Sequence, residues 1–203
     1  MSRPGTLRII GGTAGGLRLT CPKTVKIRPT ADRVRESVFN ILAGAVSDAR
    51  ALDLFAGSGA FGIEALSRGA RRCLFVERRA PCVAAIRENL RKTGLTDRAE
   101  VILADAFGFP GDACIAEPFD IIFLDPPYRF TMQCTPDSRI SSLIGRVAAP
   151  DILAPGGRII LEHDSKARAP DAFPQTTLTD RRKYGTTSVS FYAVADTSRK
   201  DEL

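Results

Sequence analysis

The segment Asp125-Pro126-Pro127-Tyr128 carries residue types suited to chemistry at an amino group on an aromatic base. Such an exocyclic amine is a poor nucleophile because its lone pair is conjugated into the ring. The Asp125 carboxylate and the Pro126 carbonyl could accept its two N–H groups, which would direct the lone pair at an electrophile and stabilise the developing positive charge. The two prolines restrict the backbone that carries these acceptors, and Tyr128 offers a ring on which a flipped-out base could stack. The segment therefore predicts four catalytic residues: Asp125, Pro126, Pro127 and Tyr128.

Three earlier segments combine acids with glycines in an order that suits a methyl-donor cofactor. Asp53 precedes Gly57-Ser58-Gly59, whose glycines let the backbone approach a ligand closely and turn into a helix. In S-adenosylmethionine the methyl group is already activated by the sulfonium, so no metal is required. Asp53 could hold the ammonium group of this cofactor, Glu77 could accept two ribose hydroxyls, and Asp105 could receive the adenine amino group. The predicted cofactor-binding residues are Asp53, Phe55, Gly57, Ser58, Gly59, Glu77 and Asp105.

Each of these acids also has a purely structural interpretation. Asp53 could cap a helix, Glu77 could lie on a solvated face with its neighbouring arginines, and Asp105 could begin a helix. Residues 125–127 could be only a rigid turn, and Tyr128 could be a packing residue. The functional interpretation is favoured because the motifs occur in order at the ends of four successive predicted strands.

The glycine motif by itself also fits a nicotinamide-dependent oxidoreductase. Gly57, Gly59 and Gly62 satisfy GxGxxG, and Glu77 lies 20 residues beyond Gly57, as in a dinucleotide-binding fold. Two features favour S-adenosylmethionine instead. An acid directly before the glycines, at Asp53, would repel a pyrophosphate, and a dehydrogenase has no use for the DPPY sequence.

Strands and helices alternate from residue 51 onward, which predicts a mostly parallel α/β sheet with helices on both faces. Predicted strands cover residues 51–54, 73–76, 100–103, 119–124 and 158–162. Predicted helices run from the glycine motif to about residue 68, over 80–92 and over 138–153, and residues 176–182 and 187–194 form an antiparallel pair. Ligands bind such sheets at the carboxyl ends of the strands, near the point where the strand order reverses. The motifs described above follow those ends.

A basic N-terminal segment precedes this region. Residues 7–10 and 17–19 flank a glycine-rich turn and predict a hairpin, and a helix follows from Thr30 to about Gly44. Residues 1–39 contain eight Lys or Arg against two acids, which accounts for the whole net charge of +6. Such a segment favours contact with a polyanion, although a solvated surface or internal ion pairs would explain it equally. We predict an RNA-contacting extension over residues 1–44, a catalytic domain over 45–195 and a flexible tail over 196–203, with RNA contacts from Arg28, Arg33 and Arg35.

The composition argues against several classes of protein. The five cysteines form no CxxC pair and there is one histidine, so neither a metal site nor a disulfide framework is expected. No apolar run approaches the roughly 20 residues that a membrane span needs, and there is no signal-peptide core, so we expect a cytoplasmic protein without membrane contact. The C-terminal KDEL sequence, residues 200–203, is interpreted as chance because nothing would deliver the chain to the ER lumen. We interpret His163 as structural or at the rim of the substrate site rather than catalytic.

Taken together, these motifs resemble the RsmD family of bacterial methyltransferases, which modify guanine N2 in small-subunit ribosomal RNA. The N-terminal pair of motifs is the more specific part of the resemblance, since the glycine and DPPY motifs occur widely among amino-methyltransferases. The resemblance runs from about residue 7 to 194 and is weakest beyond Pro155. It is carried by residues 8–12 (RIIGG), 28–36 (RPTADRVRE), 52–59 (LDLFAGSG) and 125–128 (DPPY).

The resemblance implies a Rossmann-like class I methyltransferase with a seven-stranded sheet and an added N-terminal hairpin and helix. It implies S-adenosylmethionine as cofactor, S-adenosylhomocysteine as product, and 16S rRNA within an assembling small subunit as substrate; we expect a monomer. It also matches the DPPY loop to the catalytic loop and Asp53, Gly57, Glu77 and Asp105 to cofactor-binding positions. A DNA or RNA adenine or cytosine amino-methyltransferase would use the same loop, but a DNA enzyme normally needs a target-recognition domain for which no segment here is long enough.

Overall fold

A computed structural model describes residues 7–22, 31–110, 115–132, 134–167 and 169–194. Its centre is one mixed sheet of eight strands in the order β3-β2-β1-β4-β5-β8-β7-β6. The first five strands are parallel to one another, and β8, β7 and β6 continue the sheet in antiparallel fashion. The strands are β1 (Arg50–Leu54), β2 (Arg72–Glu77), β3 (Ala99–Leu103), β4 (Phe119–Leu124), β5 (Leu153–Asp164), β6 (Ala172–Phe173), β7 (Thr176–Tyr184) and β8 (Thr187–Val194).

The strand order reverses at β1, which pairs with β2 on one side and with β4 on the other. The chain leaves β1 toward β2 and β3, then returns to the other side of β1 with β4 and β5. This arrangement opens a crevice beyond the carboxyl ends of β1 and β4, where open α/β sheets bind their ligands. The sheet therefore places the four predicted motifs around one crevice.

Helices cover both faces of the sheet, as the alternating pattern predicts. Side chains from α1 (Ala31–Leu42), α2 (Ala60–Ser67) and α3 (Ala80–Thr93) bury one face, and α4 (Arg139–Val147) buries the other together with residues 106–109. In α1 the buried apolar side chains recur with helical spacing, and Phe39 packs against Phe61 and Phe123 with ring centroids 6.4 and 5.6 Å away. Burying such a side chain contributes about 1.5–3 kcal/mol, so α1 is held firmly on the sheet.

The N-terminal residues pair as predicted but form only a minimal hairpin. Arg8 and Arg18 make a single antiparallel bridge, supported by backbone hydrogen bonds between Ile9 and Leu17 and between Leu19 and Leu7. The segment docks on α2, where the buried Glu64 carboxylate accepts the backbone N–H groups of residues 10 and 11 at 2.7 and 2.9 Å. Its apolar side chains join the same core as α1 to α3. The domain boundaries at residues 44 and 195 stay a prediction.

The structure differs from the sequence-based expectation around residue 150. The helix predicted over 138–153 ends at Val147, because Pro150 has no N–H to donate and disfavours helical backbone at Ala149. Leu153 already pairs with Phe119, so β5 begins five residues earlier than predicted. The residues between Leu153 and Arg158 form an irregularity in its pairing with β4. The short β6 raises the strand count from the seven expected to eight.

Candidate active site

A cavity of about 500 Å³ opens at the carboxyl ends of β1 to β4. It is lined by residues from the ends of all four strands, as expected from the four motifs. Most of the predicted site residues are among them, but Asp53, Ser58 and Gly59 lie behind the lining. The residues that line the cavity are Phe55, Gly57, Val76, Glu77, Arg78, Arg79, Asp105, Ala106, Phe107, Asp125, Pro126, Pro127, Tyr128 and Phe130.

The turn that follows β1 is tightly constrained. Phe55 has a φ of 63°, a left-handed conformation that a bulky side chain rarely adopts and that is found mostly at functional sites. Gly62, in the first turn of α2, cannot be replaced without movement, because an added Cβ would lie 2.3 Å from the Phe75 ring. The backbone of this turn is therefore held in one shape, with Phe55 and Gly57 at the cavity surface.

Asp53 supports the glycine turn from beneath. Its side chain is buried, and Oδ2 accepts the backbone N–H of Gly62 at 2.9 Å. Burial, opposed by the Gly62 hydrogen bond and assisted by the nearby carboxylates of Asp125 and Glu77, raises the pKa of Asp53 to about 7. The structure thus places this acid one layer below the cavity surface rather than on it.

Glu77 closes the β2 side of the cavity and is almost fully buried. One of its oxygens accepts the Gly57 backbone N–H at 2.9 Å, and the other accepts two N–H groups of Arg79, from the backbone at 2.9 Å and from Nε at 3.0 Å. A carboxylate has about four acceptor positions, so one remains for a ligand. The Arg79 side chain is 40% exposed, so movement of this side chain would release a second position.

An aromatic wall, Phe55–Phe107–Phe130, forms a further part of the cavity lining and was not predicted as a unit. Phe107 meets Phe55 and Phe130 edge-on, with ring centroids 5.1 and 4.7 Å away, and the Arg139 guanidinium lies 4.1 Å from the Phe107 centroid. Asp105, two residues before Phe107, is exposed and accepts the Phe107 backbone N–H at 3.1 Å. The only sequence signal for this wall is that Phe107 and Phe130 closely follow motifs at strand ends.

The catalytic loop begins where β4 ends. Asp125 is partly exposed to the cavity and Pro126 is buried beside it. The Tyr128 hydroxyl forms a 2.7 Å hydrogen bond with the buried Thr187 hydroxyl at the start of β8, so a residue 59 positions away orients the predicted stacking ring. This contact was not foreseen, because nothing in the sequence links Thr187 to the DPPY motif.

The arginines predicted to contact RNA have different surroundings. Arg33 is exposed on α1, and Arg28 lies outside the described residues. Arg35 is only 2% exposed: it donates to the Arg8 carbonyl and forms ion pairs with Asp32 at 3.0 Å and Glu64 at 3.4 Å. The structure thus contradicts the expectation for Arg35, which is an internal ion-pair partner that cannot reach a phosphate.

A buried asparagine ties the N-terminal segment to the cofactor turn. Asn89 on α3 accepts the Thr20 backbone N–H at 2.7 Å and donates to the carbonyls of Thr20 and Ser58, both at 3.0 Å. Ser58 is therefore held through α3, and the same amide group holds Thr20 of the N-terminal segment. The N-terminal segment is in this way part of the support for the site.

Two other expectations concern His163 and metal ions. His163 is buried, with Nδ1 2.9 Å from the Asp164 carbonyl and Nε2 2.9 Å from the Ser190 hydroxyl, in keeping with a structural role. Across the described ranges, no cluster of three or more His, Cys, Asp or Glu is arranged to hold a metal ion. No helix in the described part of the chain has the length and apolar character needed to span a membrane.

Comparison with known proteins identifies the family. The family model described as conserved hypothetical protein 95 matches residues 7–193. YlbH of Bacillus subtilis is 36% identical over 187 residues, which cover 92% of this chain and 98% of YlbH. The ribosomal RNA small subunit methyltransferase D of Escherichia coli K12 is 42% identical over 128 residues, or 63% of each protein.

Solved structures show the same fold. That of yhhF from Escherichia coli is 30% identical to this chain, with a TM-score of 0.76 over 94% of this chain and 98% of the other. Two further structures share the fold at 19% and 17% identity, with TM-scores of 0.64 and 0.61: one from Streptococcus mutans is described as a SAM-dependent methyltransferase, and the other, SMU.776, as a methyltransferase complexed with S-adenosylhomocysteine. The chain therefore belongs to the RsmD family, described as conserved hypothetical protein 95, and has the Rossmann-like fold of a class I methyltransferase.

Proposed function

We propose that this chain transfers a methyl group from S-adenosylmethionine to the exocyclic N2 amine of a guanine in 16S rRNA. The observation that carries the proposal is that the hydrogen-bond acceptors of Asp125 and Pro126 share one cavity with the aromatic wall and with the acids Glu77 and Asp105, which follow β2 and β3. The relative in E. coli, named as a small-subunit rRNA methyltransferase, supports the choice of substrate.

The residues around the cavity fit this cofactor. S-adenosylmethionine carries two positive charges, and acids stand at three successive strand ends: Asp53, Glu77 and Asp105. Glu77 retains an acceptor position for ribose hydroxyls, and the exposed Asp105 can accept from an adenine amino group beside the Phe107 ring. When bound, the cofactor supplies an electrophilic methyl group, and a cavity bordered by carboxylates stabilises its charge.

The catalytic loop prepares the target amine. The Asp125 carboxylate and the Pro126 carbonyl each accept one N–H, which turns the nitrogen lone pair toward the cofactor side of the cavity. As the bond from the nitrogen to the methyl group forms, the bond from that methyl group to the sulfonium sulfur would break, with S-adenosylhomocysteine as the leaving group. Positive charge develops on the nitrogen, so the Asp125 carboxylate binds the transition state more strongly than the neutral base, and the surplus N–H proton is then lost through Asp125 to solvent. Tyr128, oriented by Thr187, provides the surface against which the base stacks.

The geometry weakens the case for a nicotinamide cofactor. A pyrophosphate needs the free N–H groups at a helix N-terminus, but the carboxylate of Asp53 already occupies the Gly62 N–H at the start of α2. The charged form of Asp53 would also repel a phosphate. Adenine or cytosine as the target base remains the second candidate, because the same acceptors would serve either amine.

Recognition of RNA completes the proposal. We propose that Arg33, exposed on α1, contacts phosphates, as does Arg28, and that the substrate is an assembling small subunit. We further propose that the protein acts as a monomer in the cytoplasm.

Tritiated methyl transfer tests this function. The protein is incubated with labelled S-adenosylmethionine and either naked 16S rRNA or immature small subunits from cells that lack it, and the labelled nucleoside is identified after digestion. N2-methylguanosine is the expected product, with Asp125→Ala as the inactive control. Label in N6-methyladenosine or N4-methylcytidine would overturn the choice of base. Tight NAD binding without S-adenosylhomocysteine binding would overturn the enzyme class.

A further inference from the structure

A second cavity, of about 600 Å³, lies at the end of β5 and shares no lining residue with the first. Its size is within the range of about 300–1,000 Å³ that is usual for ligand sites. One wall is the outer part of the sheet, and the other is the loop that follows β5. We call it the β5 groove; it is lined by His163, Ser165, Ala167, Ala169, Pro170, Asp171, Arg181, Lys183 and Ser188.

Strand register places the β5 groove beside the catalytic loop. Leu161 of β5 pairs with Leu124 of β4, so His163 stands level with Pro126 on the neighbouring strand. Ser188 pairs with His163, and Lys183 pairs with Ser188. Lys183 is thus three strand spacings, roughly 14 Å, from the catalytic strand along the same edge of the sheet.

The β5 groove contains one positively charged side chain, Lys183, that forms no ion pair within the described part of the chain. Arg181 is occupied: it donates to the carbonyls of Ala169 and Pro170 and lies 3.3 Å from the Asp171 carboxylate, so it builds the wall of the groove. His163 is uncharged at neutral pH because burial lowers its pKa. Lys183 is exposed and makes no ion pair with any residue in the described ranges.

The direction of approach of the substrate also favours this side. The proposed cofactor residues occupy the ends of β1, β2 and β3, on one side of the catalytic loop. The surface over β5, β8 and β7, on the other side of the loop, is therefore open to nucleotides that flank a base entering at Asp125. There the partly exposed Ser165 hydroxyl and the exposed Lys183 ammonium offer the partners that ribose and phosphate need.

We propose that the β5 groove binds the RNA nucleotides that flank the target guanine, with Lys183 contacting a backbone phosphate. This inference rests on the proposed function, because it assumes that the substrate is RNA. The RNA would then contact the C-terminal strands as well as the basic N-terminal segment, so it would be held on both sides of the catalytic loop.

Two neighbouring residues of β7 provide a matched test. Side chains alternate across a strand, so Lys183 faces the β5 groove while Arg182 faces the opposite side, where it pairs with Asp180 at 2.9 Å. Lys183→Gln and Arg182→Gln each remove one positive charge from an exposed position of the same strand. Binding of a fluorescent 16S rRNA transcript is measured by anisotropy at several salt concentrations, without cofactor.

Lys183→Gln should lower the slope of log affinity against log salt by about 0.7, the value for one lost phosphate contact on single-stranded RNA, and Arg182→Gln should leave it unchanged. Lys183→Glu should weaken binding further, and Lys183→Arg should restore it. In methylation assays the KM for RNA should rise for Lys183→Gln without a change in kcat or in affinity for S-adenosylhomocysteine.

The inference would be overturned if the wild type and Lys183→Gln had the same slope of log affinity against log salt. It would also be overturned if Lys183→Gln and Arg182→Gln lowered that slope equally. An effect seen with ribosomal subunits but not with the naked transcript would also overturn it, because the groove would then contact a ribosomal protein. Failure of the proposed function is separate: the wild type would bind the transcript with the expected salt slopes but methylate no RNA.

Discussion

Replacing Asp53 with asparagine removes a carboxylate whose charged form the folded protein disfavours. Asp53 is buried, and its pKa rises from the ordinary 3.8 to about 7. A carboxyl group with a raised pKa contributes stability that is fully present below pH 3.8 and is lost as the pH rises through about 7. The wild type should therefore lose stability from this group between about pH 4 and pH 7, whereas an asparagine contributes no such change.

The size of the effect follows from the two pKa values. Between pH 5 and pH 8 the free energy of unfolding of Asp53→Asn should rise relative to the wild type by about 2.5 kcal/mol, at 1.36 kcal/mol per pKa unit. A constant cost is also expected if the new amide N–H groups lack partners, but this cost does not vary with pH. The test is therefore how the difference in free energy of unfolding between the two proteins changes with pH.

The same acid should couple cofactor binding to proton release. A cation bound above the glycine turn favours the charged form of Asp53, so S-adenosylhomocysteine should bind the wild type more tightly as the pH rises from 6 to 8. Binding at pH 7 should release up to about half a proton, while Asp53→Asn should bind more weakly and release less.

Urea unfolding at pH 5, 6, 7 and 8 measures the stability of both proteins, and calorimetry in two buffers of different ionisation enthalpy measures the proton release. A stability difference that stays constant with pH would refute the assignment of a raised pKa to Asp53. If the stability data show a raised pKa but the wild type and Asp53→Asn release the same number of protons on binding, the ionisation of this acid is not coupled to cofactor binding.

Three further predictions concern catalysis and the basic helix. Asp125→Ala should lower kcat by about 100-fold or more and leave S-adenosylhomocysteine affinity nearly unchanged in calorimetry, because the acceptor acts mainly in the transition state; equal losses in both would contradict this role. Tyr128→Phe and Thr187→Val should each lower kcat/KM by about 2- to 10-fold, the value of one hydrogen bond, and the double variant should be no worse than either single variant; additive losses would show that the two hydroxyls act separately. Arg35→Gln should lower the free energy of unfolding by about 3–5 kcal/mol through loss of a buried ion pair, without altering the salt dependence of RNA binding. Arg33→Gln should instead reduce the salt dependence of RNA binding and leave the free energy of unfolding unchanged. A reduced salt slope for Arg35→Gln would contradict its burial.

Local sequence patterns were sufficient for most of the fold and for the residues at the strand ends. Apolar runs flanked by turn residues marked the first four strands, and the glycine and DPPY motifs marked the loops that follow β1 and β4, because the bonds that define these features lie within a few residues. Helix α4 was predicted too long: it ends at Val147, and Leu153, at the end of the predicted span, instead pairs with Phe119 of β4. The helix ends ahead of Pro150, a local signal that lies inside the predicted span.

The surroundings of individual side chains depended on contacts between distant segments. Arg35 shares a helical face with Val38, Phe39 and Leu42, but its burial becomes acceptable only because Glu64 from another helix neutralises it. The Tyr128–Thr187 hydrogen bond and the β5 groove likewise join residues that the sheet brings together across long stretches of chain. The sequence alone determined which chemical groups stand at the strand ends, because period and turn chemistry are local. Only the tertiary structure decided which of them face the cavity, because burial and ion pairing are properties of the packed whole.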